Sequence, residues 1–226
     1  MRHNKKRVCA IVPAHNEALR ISNVLKVLLN SKSLDEIMVI DDGSVDDTKK
    51  ILKKFPSIKL IVLEKNYGKA HAMEVGVQNT NADIIFFCDA DLEGLTTDII
   101  SEIINPVVKG KYDMFIGLRN NFTQKMWRYT ALCSGERALI RELWEKLPQF
   151  YKKGYRIESG LNEFSKLVGK GYGYKLFDYY QTTSEVKRGI FNGLKFRIKM
   201  FYGVFSGMLM FKFYHRFKVK RNLKHK

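Results

Sequence analysis

Residues 84–91 spell Ile-Ile-Phe-Phe-Cys-Asp-Ala-Asp, an uninterrupted apolar run followed at once by two aspartates with one alanine between them. An apolar run without polar alternation is typical of a strand buried on both faces, as in a parallel sheet covered by helices. In an extended segment, Asp89 and Asp91 point to one side and Ala90 points to the other. Carboxylate oxygens suit Mg²⁺ or Mn²⁺, which keep coordination positions open for phosphate oxygens. The segment therefore predicts a divalent-cation site at the end of a buried strand.

Short apolar runs and amphipathic stretches alternate over the first 118 residues. The predicted strands are Val8–Val12, Ile37–Ile40, Leu60–Leu63, Ile84–Cys88 and Met114–Ile116. Two of the predicted helices are residues 17–30 and Lys69–Gln78. A further helix is expected to begin at a capping box at Ser44–Asp47 and to end at Pro56. The last is capped by Thr96 or Thr97 and ends near Pro106. This alternation predicts an α/β fold of the doubly wound type, a mostly parallel sheet with helices on both faces.

Polar residues stand where the predicted strands end, which is where doubly wound sheets bind ligands. They form three clusters that we expect to meet at one edge of the sheet: Pro13–Glu17, Asp41–Ser44 and Asp89–Asp91. Such residues also cap helices and make turns, and that role is the better interpretation for Ser44, Asp46 and Asp47. The pair Gly68-Lys69 stands just ahead of the third predicted helix, where main-chain N–H groups and a cation favour phosphate.

Four motifs occur in order along this part of the chain. They are Val-Pro-Ala-His-Asn-Glu (12–17), Val-Ile-Asp-Asp-Gly-Ser-x-Asp-Asp-Thr (39–48), Asn-x-Gly-Lys-Ala (66–70) and Phe-x-Asp-Ala-Asp-Leu (87–92). Together they resemble the donor half of family 2 glycosyltransferases, which have the GT-A fold, over residues 8–118. The resemblance implies an enzyme that uses a UDP- or GDP-linked sugar and a Mg²⁺ or Mn²⁺ ion.

The resemblance also implies roles for individual residues. On that basis, the nucleoside pocket would be lined by Pro13, Ala14 and Glu17, with Asp41 or Asp42 contacting the base or ribose and Lys69 facing the phosphates. Asp89 would lie near the ribose and the metal, Ala90 would belong to the nucleotide-sugar site, and Asp91 would be the principal metal ligand and a catalytic residue.

The acceptor half is predicted over residues 119–187. A helix is expected to open at Ser134–Ala138, and Gly154–Glu158 precedes another helix that contains Leu161 and Phe164. These segments are similar to the acceptor side of dolichyl-phosphate-sugar synthases and glucosyl-3-phosphoglycerate synthases. The likeness implies that Ser134, Gly135 and Arg137 hold an acceptor phosphate and that Glu158 is a catalytic base or an acceptor contact. The alternative is that Glu136 and Arg137 form a solvated helix start and that Glu158 caps the next helix.

One position departs from this likeness. Glucosyl-3-phosphoglycerate synthases have a histidine late in the domain that helps to bind the metal, and Gln181-Thr182-Thr183 stands in that stretch here. The departure favours a lipid-linked acceptor such as a polyprenyl phosphate, with inversion, over a small soluble phosphorylated acceptor.

The charge of +17 is concentrated at the end of the chain. Residues 188–226 hold eleven Lys and Arg and no Asp or Glu, interspersed with large apolar residues. The longest uncharged run, Met200–Phe211, is shorter than the roughly twenty residues that a spanning helix needs. The pattern predicts a basic amphipathic helical tail on an anionic membrane surface, or else a terminal helix that packs on the domain. No nucleic-acid-binding module is recognisable, so nucleic acid is not an expected partner.

The apolar run after the basic first residues is too short for a secretory signal, and the three cysteines match neither a disulfide framework nor a zinc site. We therefore expect a cytoplasmic protein, peripheral on the cytoplasmic face of the membrane. The sequence predicts a metal-dependent hexosyltransferase with a lipid-linked or membrane-proximal acceptor. A sugar nucleotidyltransferase would carry a Gly- and Arg-rich loop after the first strand, where Pro13–Glu17 stands. A non-catalytic basic membrane protein would leave the acidic clusters unexplained.

Overall fold

The computed structural model describes residues 5–120 and 136–181, together with residues 202, 203, 205–207, 209 and 210. The strands are β1 (Val8–Ala14), β2 (Glu36–Asp41), β3 (Lys59–Val62), β4 (Ile84–Phe87), β5 (Leu92–Glu93), β6 (Met114–Arg119), β7 (Arg137–Ile140), β8 (Tyr172–Phe177) and β9 (Tyr180–Gln181). The helices are α1 (Ile21–Leu29), α2 (Thr48–Leu52), α3 (Lys69–Gln78), α4 (Thr97–Val108), α5 (Arg141–Lys146) and α6 (Ile157–Val168), and a 3₁₀ turn, Gly154–Arg156, precedes α6.

Seven strands form one mixed sheet in the order β3-β2-β1-β4-β7-β6-β8. Its pairs are parallel except at β7, which runs antiparallel to both β4 and β6. The short strands β5 and β9 pair antiparallel as a separate ribbon. The mostly parallel, doubly wound sheet predicted from the sequence is therefore confirmed.

Strand β4 lies at the centre of the sheet and faces an apolar layer on each side. Ile84 and Phe86 pack with α1, α2 and α4, whereas Ile85 and Phe87 pack with α3, α5 and α6. The ring of Phe87 meets that of Trp144 on α5 at a centroid distance of 4.8 Å. Burial of one such ring contributes about 1.5–3 kcal/mol, so both layers fix the position of β4 and of the residues that follow it.

Helix α3 approaches the sheet closely because it carries Gly76 at the contact. A Cβ atom on Gly76 would lie 2.5 Å from a methyl carbon of Ile11 on β1. Any larger residue would push the helix away from the sheet. The glycine thus sets the height of α3, and with it the position of Lys69 at the first residue of that helix.

The helix predicted to open at Ser134–Ala138 is wrong in its described part. Arg137–Ile140 is strand β7, inserted between β4 and β6, and the helix begins only at Arg141. Ala138 and Leu139 are buried on opposite faces of the sheet, so pairing on both sides outweighs the helical propensity of the segment. Ser134 and Gly135 lie outside the described residues.

The capping box predicted at Ser44–Asp47 is also wrong, because α2 starts at Thr48. The Ser44 hydroxyl accepts instead from the Asn16 N–H, at 2.9 Å, and Asp46 Oδ1 accepts from the Thr48 N–H, also at 2.9 Å. The contact between Asn16 and Ser44 joins the two loops that follow β1 and β2. Of the two candidate caps for α4, Thr96 is the cap, and its hydroxyl accepts from Ile99 N–H at 3.2 Å.

Most of the predicted basic tail lies outside the described residues, and its described part, within 202–210, is helical. Within the described part of the chain, no helix is both long enough and apolar enough to cross a membrane. The division into a donor half, an acceptor half and a tail stays a prediction.

Candidate functional site

The loops after β1, β2 and β4 meet at the carboxyl edge of the sheet, as the sequence predicts. Asp89 and Asp91 are both buried, and each places a carboxylate oxygen 2.9 Å from Nε2 of Gln181. The two carboxylates thus face one point, and Ala90 is buried in the apolar layer behind them. The expected alternation around Ala90 is confirmed.

Lys69 joins α3 to this acidic pair. Its Nζ lies 2.6 Å from Asp89 Oδ1. Burial raises the pKa of Asp89, but the charges of Lys69 and Arg119 outweigh burial and lower it to about 2. Burial lowers the pKa of Lys69, but the charges of Asp89 and Glu158 outweigh it and raise that pKa above its ordinary value. Both groups are therefore ionised at neutral pH.

The two aspartates at the end of β2 have different surroundings. Both oxygens of Asp42 accept main-chain N–H groups, from Tyr67 and Gly68, each at 2.8 Å. Asp41 Oδ1 accepts from the Ser44 N–H at 3.0 Å, whereas Oδ2 is buried with no hydrogen-bond partner among the described residues. Asp42 therefore holds the loop that precedes Lys69. Asp41 carries a buried acceptor oxygen that suits a ligand N–H or O–H.

The loop after β1 is tied to its neighbours through main-chain groups. Ala14 O accepts from Asp42 N–H at 2.8 Å, and Glu17 N–H donates to the Thr48 hydroxyl at 2.8 Å. The Glu17 carboxylate lies 3.5 Å from the guanidinium of Arg20, and Pro13 is half-buried in β1. The structure thus places Pro13, Ala14 and Glu17 at the carboxyl edge of the sheet, where the acidic pair also lies. Their role as a nucleoside pocket stays a prediction.

A buried polar network on the other side of the acidic pair was missed by the sequence analysis. Arg119, at the end of β6, donates to Gln181 Oε1 and lies 3.3 Å from Glu136 Oε2. The hydroxyl of Tyr179 is 2.9 Å from Glu136 Oε2 and 2.8 Å from Gly117 O. The available signal was Gln181, which stands where a metal-binding histidine was expected. Nothing in the sequence pairs Arg119, Glu136 and Tyr179.

Arg137 and Glu158 meet at the start of α6. Arg137 is fully buried, and its Nη1 donates to Glu158 O at 3.4 Å and to Asn162 Oδ1 at 3.3 Å. Arg137 therefore fixes α6 to β7, and Glu158 lies in the first turn of α6, near enough for its charge to act on Lys69. The acceptor roles of Arg137 and Glu158 stay predictions.

The donor set at the acidic pair fits a divalent cation that also binds a phosphate ligand. Over residues 5–120 and 136–181 no group of three or more His, Cys, Asp and Glu side chains forms a complete protein-only metal site. Mg²⁺ commonly binds through one or two carboxylates, waters and substrate phosphates, which is the arrangement that Asp89 and Asp91 allow.

Comparison with known proteins agrees with this geometry. Solved structures of glucosyl-3-phosphoglycerate synthase from Mycobacterium tuberculosis are similar in fold. The complex with Mn²⁺, UDP and phosphoglyceric acid has a TM-score of 0.74 at 22% identity, covering 90% of this chain and 78% of that one. The complex with Mg²⁺ and UDP has a TM-score of 0.72 at 22% identity, with the same coverage. At this identity the likeness establishes the fold, which is GT-A.

Curated relatives match about half of the chain. The 4,4'-diaponeurosporenoate glycosyltransferases of Staphylococcus aureus strains USA300 and NCTC 8325 are each 32% identical over 106 residues, which is 45% of this chain. The match spans 28% of the length of those relatives.

The family model described as glycosyl transferase family 2 matches residues 9–161, from β1 into α6. That range includes all four motifs and both members of the acidic pair. It also covers more than half of the chain. The chain therefore belongs to glycosyl transferase family 2.

Proposed function

We propose that this protein is a metal-dependent glycosyltransferase that moves a sugar from a nucleotide-diphosphate sugar to an acceptor at the membrane surface, with inversion. The observation that carries the proposal is the convergence of Asp89, Asp91 and Lys69 at the carboxyl edge of the sheet. Support comes from the structurally similar synthase, which has been crystallised with Mn²⁺ and UDP-glucose.

Each of the described site residues has a separate role in binding the donor. Asp41 Oδ2, a buried acceptor, takes an N–H or O–H of the nucleoside. The ammonium group of Lys69 lies at the N-terminus of α3 and binds the diphosphate oxygens there. Asp91, with Asp89, holds Mg²⁺ or Mn²⁺. When bound, the cation neutralises the diphosphate and assists its departure as a Lewis acid.

A lipid-linked acceptor is proposed from the described residues of the C-terminal helix. Tyr202, Phe205 and Leu209 are exposed, with Tyr202 at 76%. A Cβ atom on Gly207 would lie 2.6 Å from the Ser159 hydroxyl, so this helix packs against the start of α6, beside Glu158. Exposed apolar side chains within a strongly basic segment suit an anionic membrane surface. Glu158 is then placed to contact the acceptor or take its proton.

A small soluble phosphorylated acceptor is the second candidate. The similar synthase structures contain phosphoglyceric acid or glycerol 3-phosphate. Transfer to such a compound in the absence of lipid would favour this alternative.

Calorimetric titration with UDP, GDP and CDP, with and without Mn²⁺, tests the donor site. We expect one nucleotide to bind, tightly only with Mn²⁺, and Asp91→Asn to lose the metal dependence. Asp98→Asn, an exposed aspartate in α4, is the matched control and binds as the wild type does. Absence of binding by any nucleotide to folded protein would contradict the proposed function.

Vesicle co-sedimentation tests the membrane contact. We expect binding to anionic but not to zwitterionic vesicles, with loss on deletion of residues 190–226 and weakening in Phe205→Glu. Leu176→Glu, at an apolar side chain on β8 that is 50% exposed, is the control for a new surface charge. Equal binding by the deletion variant would remove the tail as the membrane contact.

A further inference from the structure

The side-chain amide of Gln181 bridges the two carboxylates of the candidate cation site. Its Nε2 donates to Asp89 Oδ2 and to Asp91 Oδ1, each at 2.9 Å. A side-chain –NH₂ group has two hydrogens, and this contact uses both of them. Hydrogen bonds to ionised acceptors are among the stronger ones in proteins. Gln181 is therefore bound to the acids rather than merely close to them.

The orientation of this amide is fixed by Arg119. Arg119 donates to Gln181 Oε1, and a guanidinium has donors only, so the oxygen must face Arg119 and the nitrogen must face the acids. Arg119 is itself held 3.3 Å from Glu136 Oε2, and the side chains of both are nearly or fully buried. Rotation of the amide by half a turn would set donor against donor and oxygen against carboxylate. Gln181 thus meets the acids as a hydrogen-bond donor and not as a metal ligand.

A carboxylate has about four lone-pair sites, so a donor and a cation compete where they need the same oxygens, which here are Asp89 Oδ2 and Asp91 Oδ1. Nε2 occupies the point within hydrogen-bonding distance of both oxygens, and a cation that bridged those two oxygens would need the same point. The two occupants exclude each other. We propose that Gln181 competes with the divalent cation for the Asp89–Asp91 pair and so sets the affinity of the site for metal.

The competition reaches beyond the acids because Gln181 also belongs to a strand. It belongs to β9, where it pairs with Leu92, the residue directly after Asp91. Release of the amide from the acids therefore acts on the two-stranded ribbon of β5 and β9. The inference rests on the proposed function in one respect, namely that the acidic pair takes a cation.

Mn²⁺ binding, followed by the electron paramagnetic resonance signal of free Mn²⁺, tests the competition. We expect Gln181→Ala and Gln181→Met to bind Mn²⁺ about tenfold more tightly than the wild type, because the competing donor is removed. Mutation of groups that contact metal ligands changes affinity by about 10–100-fold, there as a loss. Met keeps the volume of the side chain if Ala weakens the fold. Gln78→Ala is the control, because exposed Gln78 also donates to a carboxylate, that of Glu74, at 3.3 Å. Unchanged or weaker binding by both Gln181 variants would overturn the proposal.

A second measurement does not depend on the variants' affinities. In ¹H–¹⁵N spectra, the side-chain amide pair that is absent from Gln181→Met identifies Gln181, and we expect this pair to shift on addition of Mg²⁺. A pair that stays in place at saturating Mg²⁺ contradicts the competition.

The two proposals fail in different ways. If Mn²⁺ binds to the wild type, if Asp91→Asn abolishes this binding, and if the Gln181 variants leave the affinity unchanged, then only the competition is wrong. If neither the wild type nor any variant binds Mn²⁺, with or without UDP, the cation site of the proposed function is wrong and the competition falls with it.

Discussion

The two sides of the candidate site are stabilised by different kinds of contact. On the donor side, carboxylates and hydroxyls accept main-chain N–H groups, as Asp42 does from Tyr67 and Gly68. On the opposite side, buried side chains contact one another, as Arg119 does with Glu136 and Gln181. Main-chain donors are present whatever the sequence, whereas a buried charge depends on one particular partner. The difference predicts that the largest losses of catalysis come from substitutions on the donor side, and that the largest losses of stability come from substitutions on the opposite side.

The largest expected effect is on the donor side and leaves the fold intact. In Asp91→Asn we expect sugar transfer to fall by about 10³-fold or more, because a bound cation contributes several kcal/mol to the departure of the diphosphate. The thermal unfolding midpoint should stay near that of the wild type. The measurement is initial-rate transfer at saturating Mn²⁺, with Asp98→Asn as control. Normal turnover would remove Asp91 from the mechanism.

The next effect is on the opposite side and concerns stability. Arg119→Met removes the guanidinium that lies 3.3 Å from the buried Glu136 carboxylate, so we expect the free energy of unfolding to fall by about 3–5 kcal/mol in urea titrations. Adding Glu136→Gln should restore part of the loss. Lys146→Met breaks an exposed pair with Glu142 and should cost less than about 0.5 kcal/mol. An Arg119→Met protein as stable as the wild type would break the comparison between the two sides.

The paired aspartates at the end of β2 sharpen the comparison within the donor side. Asp42→Asn removes an acceptor from the loop before Lys69, and we expect a loss of about 1–3 kcal/mol in stability. Asp41→Asn should change stability less and weaken nucleotide binding by about tenfold, because a ligand donor loses its charged acceptor. Calorimetry and urea unfolding on both variants check the pair. Reversal of the two outcomes would assign the nucleoside contact to Asp42.

The smallest effect concerns an exposed aspartate in the loop before α2. Burial raises the pKa of Asp46, but hydrogen bonds from Thr48 and from the Ala18 N–H outweigh it and lower the pKa below 3.8. The stability that these bonds contribute is therefore present above pH 3.8 and is lost as the pH falls through the lowered pKa. We expect Asp46→Asn to cost about 0.5 kcal/mol at pH 7. The difference should shrink in unfolding titrations below pH 4, and a constant difference would contradict the prediction.

The sequence was sufficient where the signal is local. The apolar run before Asp89 predicts a buried central strand, and the spacing of Asp89 and Asp91 predicts that their carboxylates converge. Gly68-Lys69 predicts a cation at a helix start. Each of these follows from a few adjacent residues and from the periodicity of strands and helices.

The sequence was insufficient where pairing between distant segments decides the structure. Arg137–Ile140 favours a helix by composition, but its place between β4 and β6 makes it a strand. The contact of Arg119 with Gln181 joins residues 62 positions apart, and no local pattern marks it. The different surroundings of Asp41 and Asp42 likewise depend on the position of the loop that contains Tyr67.

The reversed direction of β7 has a consequence for how this fold can diversify. Because β6 and β7 run antiparallel, the end of β6 at Arg119 and the start of β7 at Arg137 lie at the same edge of the sheet as the acidic pair. Chain can therefore be inserted there without a change of register in any strand, and each doubling of such a loop costs only about 0.6 kcal/mol. The geometry separates the part of the fold that holds the acidic pair from a strand junction at which natural variation or protein engineering can add residues.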